Sequence, residues 1–514
     1  MRQLYALLSL STLVSAREEI PFGFGWRFFL GHPGAAPSVP CNATSFPINL
    51  NGTRCDGLQA ADATTVAGCI AAACEQGAAV WQLCSPANSS ECSAITSKKM
   101  CWVGNPTSCS AKDASWLSGA QVTPTPGPTP SPTPPPPALP SFDDSQWDVV
   151  DAPHDGLIGT PYNANAGNGQ GSIPKNVSWY RKHVVLPADW EGSHVEVYFE
   201  GIFSVASVFL NGVAVIAHAC GYTSFAARLD NVTGVMWGKE NVLAVFADAT
   251  ITTGWWYEGM GLFRSVSIIR SPLPARLADD GVFAPAFTEG SFHSRGAPAE
   301  GLFVDSATIA PSISVDLDAS APSSQNVTVR VELFSSGGGV RLAASTSAPT
   351  PARRGGTTIV APPPLTIANA ELWSIARPYL HVLVASLLDG DGGVLDAKNA
   401  TVGVRSVRWD AINGAFINEQ RVKLRGFCNH NNFAGLGMAV PTRVNLLRLQ
   451  QIRGMGGNSW RMSHNPGNPD TFSLGDRLGM TFLDENRVFK DDDASVENMR
   501  DMVRRDRVHP SILY

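Results

Sequence analysis

Residues 421–514 alternate apolar strand-like runs with helix-length runs, and this alternation limits the fold more than any other feature of the chain. The pattern predicts strands over Val422–Phe427, Asn458–His464 and Met480–Asp484, and helices over Pro441–Gly454, Asn468–Leu478 and Val496–Arg507. Strands separated by helices of this length run parallel, because each helix carries the chain back to the same end of the sheet. The expected architecture is the opening of a β/α barrel, which closes only when every strand has two neighbours. Three strands and the first residues of a fourth precede Tyr514, so the expectation is a barrel begun and left incomplete.

Upstream the period changes. From Ser178 to Arg270, short apolar runs recur between turn residues: His183–Leu186, His194–Phe199, Val205–Leu210, Val242–Phe246 and Ser265–Ile269. That spacing predicts a β-sandwich, with Asn211-Gly212 as a favoured hairpin turn. Ser312–Arg408 predicts fewer, longer strands at Val327–Phe334, Tyr379–Leu387 and Asn399–Trp409, with Gly337–Gly339 and Pro362–Pro364 as loops. Ahead of both lies a cysteine-rich stretch: eight of the ten cysteines fall between Cys41 and Cys109. A helix-like run, Ala60–Cys74, sits within it. Thr123–Pro140 is a Pro/Thr/Ser tract, predicted to be an extended, semi-rigid spacer and a substrate for O-glycosylation.

The length of 514 residues suits three or four domains, and a hydrophobic fraction of 44% allows large cores. A net charge of −6 with no basic run gives no support to nucleic-acid binding. Met1–Ala16 reads as a secretory signal: Arg2, an apolar run from Leu4 to Val14, then small residues at Ser15 and Ala16. The run is too short for a membrane anchor, and no other segment is apolar enough to span a bilayer. N-glycosylation acceptors stand at Asn42, Asn51, Asn88, Asn176, Asn231, Asn326 and Asn399. Together these features predict secretion or residence in the lumen of the secretory pathway, the vacuole included. There the clustered cysteines form a disulfide framework whose pairing the sequence leaves open.

Four runs in the C-terminal region carry a resemblance: Lys423–His430, Asn458–Pro466, Leu478–Asn486 and Val503–Ile512. In order and spacing they resemble the start of the catalytic barrel of glycoside hydrolase family 2, and Arg461–Pro466 is most similar to its β-galactosidases. The resemblance extends upstream. Ile20–Leu30, Phe142–Trp147, Asp151–Asp155, Trp179–Lys182, Asn211-Gly212 with Gly221–Phe225, and Gly259–Arg264 resemble the family's sugar-binding-like first domain. The expected class is therefore mainly β: a jelly-roll or sandwich domain at 17–36 and 141–272, an immunoglobulin-like domain at 273–409, and an incomplete (β/α)8 TIM barrel at 410–514. A signal at 1–16, an inserted Cys-rich module at 37–120 and a Pro/Thr-rich linker at 121–140 complete the division. The module is faintly similar to apple/PAN-type modules, and contact with glycans or cell wall is expected of it.

Barrel sites form where the strands end. His430 follows the first predicted strand, Arg461, His464 and Asn465 close the second, and Asp484 and Glu485 close the third. These six are the candidate substrate-binding residues. Imidazoles donate and accept at once, and arginine supplies several fixed donors, as hydroxyl recognition requires. The resemblance places the counterparts of His430, Arg461 and His464 in the active site. Asp484 and Glu485 read equally well as a structural pair bonding to arginines. They do not serve as a retaining pair, because adjacent strand residues point to opposite faces. No residue of the chain is assigned a catalytic role, since the acid/base and nucleophilic glutamates of the family belong to later strands. No cofactor is expected, and Arg487–Lys490 offers no ligands for a metal, while Asp491–Asp493 suit a helix N-terminus. Trp255–Glu258 reads as packing or as an aromatic platform for a sugar, and Tyr162–Gly171 as a border of the barrel mouth. The function implied is a secreted retaining exo-β-glycosidase of β-galactosidase type, of which this chain is an inactive fragment. The other expectation is a non-catalytic secreted carbohydrate-binding protein.

Overall fold

The computed structural model describes residues 17–33, 134–166, 168–251, 254, 256–294, 296, 301–321 and 323–513, with Cys69 and seven strand segments between residues 48 and 120. The signal, residues 1–16, lies outside the described residues. The chain divides into two units, Met1–Pro33 with Pro134–Tyr514, and Gly34–Thr133.

In the smaller unit five strands form one antiparallel sheet, in the spatial order Ile48–Asn49, Trp116–Ala120, Val80–Cys84, Cys101–Gly104 and Gln59–Ala61. A separate ribbon pairs Thr53–Asp56 with Ser108–Ala111 and sets Cys55 opposite Cys109. The helix expected to start at Ala60 does not do so: Ala60 sits in a strand, across from Trp102. Helix propensity is a weak prior that ladder pairing overrides. Ala61 closes that strand, Cys69 is helical, and the rest of that run lies outside the described residues.

The larger unit opens with a sandwich. Its four-stranded sheet runs Glu18–Pro21, Val266–Ser271, His194–Phe199, Phe225–Arg228. Its six-stranded sheet runs Asp148–Val150, Trp26–Leu30, Val177–Val185, Glu240–Asp248, Val205–Leu210, Val213–His218. Both are antiparallel, and their inward rows (Trp26, Tyr180, Val195, Val197, Phe199, Val208, Val245) make one core. The Asn211-Gly212 hairpin forms as expected; both residues have positive φ, 50° and 86°, as the twist of a two-residue turn demands.

The end of the Pro/Thr tract departs from a free spacer. Pro136–Ala138 form a short 3-10 turn, and Ala138 is buried with Trp147, Trp179 and Ala244. Proline lacks an N–H but keeps its carbonyl, and the buried guanidinium of Arg181 uses these acceptors. It donates to Pro137 O, to Leu139 O at 3.0 Å, to Phe142 O at 3.2 Å and to Asp144 Oδ2 at 2.8 Å. The last residues of the tract thus belong to the sandwich.

The second β domain holds more strands than the apolar runs suggested. One sheet pairs Gln325–Phe334 with Arg341–Thr346 and His381–Leu388, and His381–Leu388 with Val394–Val402. Two three-stranded sheets, built from Ala275–Phe283, Ser312–Leu317 and Gly356–Val360 and from Ala286–Ser294, Leu302–Ile309 and Leu365–Glu371, share its core. The single strand expected over Asn399–Trp409 is two: Val394–Val402 completes the domain, and Val407–Asp410 begins a hairpin with Gly414–Ile417.

That hairpin delivers the chain into three parallel strands, Gly426–Asn429, Ser459–Met462 and Thr481–Leu483, alternating with helices Thr442–Gly454, Pro469–Leu478 and Asp493–Asp506. Asp492 caps the last helix, its side chain accepting from Ser495 N. The first strand is an open edge of this sheet; beyond the third, Phe482 bridges in parallel to Ile512. This is an incomplete (β/α) barrel whose helix side is packed by Leu449, Ile452, Trp460, Met462, Phe472, Met480 and Phe482.

Two buried arginines join barrel and sandwich. Arg264 donates to Tyr222 O (2.8 Å) and Glu200 O (3.3 Å) in the sandwich, and to Pro466 O (2.7 Å) in the loop after the second barrel strand. Burial, then the charge of Arg505, pull its pKa down to about 10, so it stays charged at neutral pH. Arg505 donates to Gly467 O (2.9 Å) and Tyr222 O (3.3 Å) while held bidentately by Asp506, both contacts at 2.6 Å. Replacing Arg264 by Ala takes a donor from three enclosed carbonyls and leaves each with a single contact of 3.3 Å, from Arg505 to Tyr222 O, from Ser224 to Glu200 O and from Asn431 to Pro466 O. The expected cost is about 3 kcal/mol, and Arg264→Lys should recover only part, lacking the planar fork. Thermal scanning of both variants checks this, and unchanged melting would remove the staple from the account.

Candidate active site at the strand ends

Strand alternation aims the site. Trp460 and Met462 turn to the helices and are buried, so Arg461 between them turns to the other face of the sheet, in register with Cys428 and Leu483. Glu485, just past the third strand, meets it there. Arg461 Nη2 donates to Glu485 Oε1 at 2.8 Å and lies 2.6 Å from Oε2. His464 Nδ1 is 3.1 Å from both Arg461 Nη2 and Glu485 Oε1. A single ring nitrogen accepts from the guanidinium or donates to the carboxylate, not both, so the tautomer of His464 is coupled to this ion pair. Arg461 Nη1 also points at the exposed Cys428 thiol, at 3.5 Å.

His430 completes the cluster from the first strand. Its ring lies 5.5 Å from that of His464, nearly perpendicular at 87°. Arg448 Nη2 donates to its carbonyl at 2.9 Å. Burial, then the neighbouring His464 and Arg448, lower the pKa of His430, so its imidazole is neutral at physiological pH.

The other two candidates face elsewhere. Asn465 is buried, and its Oδ1 accepts from Asn431 Nδ2. It braces the loop after the first strand rather than the open face. Asp484 turns away from Glu485, as neighbours on a strand do. Its Oδ1 accepts from Gly467 N at 3.3 Å and Glu485 N at 3.0 Å. Enclosure of the carboxyl, then the charge of Asp506, push its pKa well above the usual carboxylate range, against the pull of Arg505. Asp484 thus belongs to the Arg505 junction. Of the six residues singled out in the sequence, the structure gathers His430, Arg461, His464 and Glu485 on one face.

A second wall comes from the sandwich. The Trp256 ring lies 4.8 Å from that of His430 and 5.1 Å from that of His464. Arg487, just after Glu485, places its guanidinium 4.6 Å from the Trp256 ring and its Nε 3.7 Å from Glu258 Oε1. The aromatic run therefore faces the barrel in part. Trp256 and the phenol of Tyr257 stand at this junction, Glu258 is fully buried, and Trp255 lies outside the described residues. From the Asn/Gly loop, Gln170 takes part through its amide, which donates to Trp256 O at 2.6 Å. Sequence reasoning left Arg487 out, and its one signal was its place beside the Asp-Glu pair. Among the described residues no group of three or more His, Cys, Asp or Glu is placed to hold a metal ion.

Two family models match the chain, both of glycosyl hydrolases family 2: one over residues 302–405, and that of the family's TIM barrel domain over residues 412–490. The chain is 30% identical over 390 residues to β-galactosidase BoGH2A of Bacteroides ovatus, covering 73% of this chain and 43% of that protein. It is 26% identical over 386 residues to a putative β-glucuronidase of Formosa agariphila, covering 72% of this chain and 34% of that one. A solved family 2 member from Bacteroides cellulosilyticus superimposes with a TM-score of 0.64 at 27% identity, over 75% of this chain and 49% of that one. The chain thus spans half or less of the length of each.

The indole packs 4.8 Å from the His430 ring, so Trp256→Ala, by opening that side to water, is expected to raise the His430 pKa toward the ordinary histidine value near 6.5. Imidazole NMR titration of parent and variant reads this; an unmoved midpoint would assign the shift to Arg448 and His464 instead.

Proposed function

The chain belongs to glycoside hydrolase family 2, and from that membership we propose that its strand-end cluster recognises the terminal sugar for a retaining exo-β-glycosidase of the β-galactosidase type. The observation that carries this is the Arg461–Glu485–His464 triangle beside His430, on the face of the parallel strands where barrel enzymes bind. Fixed donors and acceptors of this kind reject analogues, because a missing hydroxyl leaves a costly unpaired group.

A retaining mechanism needs one carboxyl to protonate the leaving oxygen and a second, about 5–5.5 Å away, to attack the anomeric carbon. Neither carboxylate at these strand ends suits those tasks. Glu485 is held by Arg461, and Asp484 is enclosed by the Arg505–Asp506 junction. We therefore assign both to organising the site, and read residues 17–514 as binding a sugar without cleaving it. Purified residues 17–514 are expected to show no turnover of an aryl β-galactoside above buffer, and to bind methyl β-D-galactopyranoside by saturation-transfer NMR. Stoichiometric turnover that survives repurification would overturn the first part, and absence of binding the second.

We also place the protein on the secretory route. Supporting this are the Met1–Ala16 pattern and the acceptors Asn231, Asn326 and Asn399, which are exposed. The register that sets Cys55 opposite Cys109, and the free thiols Cys220 and Cys428 outside the cluster, fit a disulfide framework confined to the inserted module. A second reading, a non-catalytic carbohydrate-binding protein, is favoured by one observation: residues 34–133 form a compact unit of their own.

A further inference from the structure

A second cleft lies at the other end of the parallel strands. Ile512 bridges in parallel to Phe482, in the strand that runs on toward Glu485. Residues 508–510 come before that bridge, so they stand at the strand starts, away from the candidate active site. Opposite them the second β domain presents Phe283, Pro285 and Gly403, and Arg405 and Arg507 line the same space, of about 180 Å³. A Cβ at Gly403 would meet Pro510 Cβ at 2.5 Å, so glycine lets the two walls approach. Arg405 Nε donates to Pro510 O and its Nη2 to Ile512 O at 2.6 Å. Its Nη1 has no partner among the described residues and is not sealed off. Arg507 lays its guanidinium 4.4 Å from the centroid of the Phe283 ring, and its side chain makes no hydrogen bond or ion pair among the described residues. Two acids act on these arginines from beyond ion-pair distance, and neither is a ready counter-charge. Asp476, on the side of Arg405, lies 2.6 Å from His509 Nδ1 and accepts from Ser511 N at 3.0 Å. Asp280, on the side of Arg507, is largely enclosed, which raises its own pKa. Burial lowers the pKa of Arg405 to about 10, so it keeps its charge at neutral pH. Burial, then the like charge of Arg504, lower that of Arg507.

We propose that this cleft binds an oxyanion group, sulfate or phosphate, with Arg405 and Arg507 as its cationic groups, at the joint between the second β domain and the barrel strands. The site is separate from the strand-end cluster and does not depend on the glycosidase reading. The chemistry follows from the lining. A charge drawn partly out of water without an opposite charge is costly, and an anion offsets that cost. Guanidinium N–H groups match the oxygens of sulfate and phosphate in charge and geometry. The apolar walls at Phe283, Pro285 and Pro510 strengthen the attraction by keeping the local dielectric low. The space is smaller than the roughly 300–1,000 Å³ of pockets that enclose drug-sized ligands. It therefore suits one charged group, either a free inorganic ion or the ester of a sugar whose ring stays outside. Arg405 lies on the segment that leaves the second β domain, and Arg507 caps the helix Asp493–Asp506. An anion on both adds a link between the two domains.

The test is titration calorimetry of residues 17–514 at constant ionic strength, with sodium sulfate, sodium phosphate, glucose 6-sulfate and glucose as probes. Sulfate and phosphate are expected to bind at one site per chain, and glucose is not. Arg507→Gln, a change at an exposed side chain, should weaken both ions by at least about fivefold. Arg405→Lys keeps the charge but loses the planar fork, and should weaken them as well. If Arg405→Lys melts early, Arg507→Gln decides the matter alone. Glucose 6-sulfate binding at least about fivefold tighter than inorganic sulfate would identify the ester of a sugar as the ligand. Equal or weaker binding would identify the free ion. The site is overturned by oxyanion binding that Arg507→Gln leaves unchanged, by no binding of either ion, or by glucose binding as well as its sulfate.

Discussion

The arrangement of this chain turns on two guanidiniums held away from water between a sandwich and a set of parallel strands. A parallel strand brings its functional residues to its C-terminal end, but nothing in a three-stranded sheet fixes the loops that follow. Arg264 and Arg505 supply that constraint by converging on Tyr222 O from one side and on Pro466 O and Gly467 O from the other. Those last carbonyls directly follow His464 and Asn465. The loop that aims His464 is thus gripped by the sandwich, and a donor lost there costs more than a surface contact because the acceptors have no water to fall back on.

The same division of labour recurs at the open face. Polar side chains come from the barrel strands, and the aromatic wall comes from a sandwich loop held by Gln170, Tyr222 and Asp155. Asp155 joins the two. Burial pushes its pKa up, while amides of Met438, Leu157 and Met260 and the Tyr257 phenol pull it back by stabilising the charged form. A carboxylate placed among four donors is a hinge pin between two loops. The two domains therefore meet at the candidate site, and a change in either alters the geometry of both.

Much of this was legible from the residues. The strand–helix alternation after residue 421, the Asn211-Gly212 hairpin and the Asp492 cap rest on local rules, and the structure keeps them within a few residues. The ladder overrode local preference at Ala60, and the tail of the proline tract was absorbed because a buried arginine needed its carbonyls. In the site, the four residues that converge were found because the barrel rule converts sequence position into spatial position. Asn465 and Asp484 were included by the same rule and face away, since the rule says which strand end a residue occupies and not which side of it.

By itself, then, the amino-acid sequence determined the elements and the strand ends at which His430, Arg461, His464 and Glu485 stand, since hydrophobic periodicity and turn chemistry act over a few residues. Only the tertiary structure decided that Trp256 stands at the same face with the buried Gln170 holding its backbone, and that Asp484 belongs to a junction rather than to the cleft. The reason is physical. Which distant side chain comes to lie against an imidazole is settled by how two cores pack and which buried polar groups must find partners, and no local pattern encodes a contact made across 174 positions, as between Trp256 and His430.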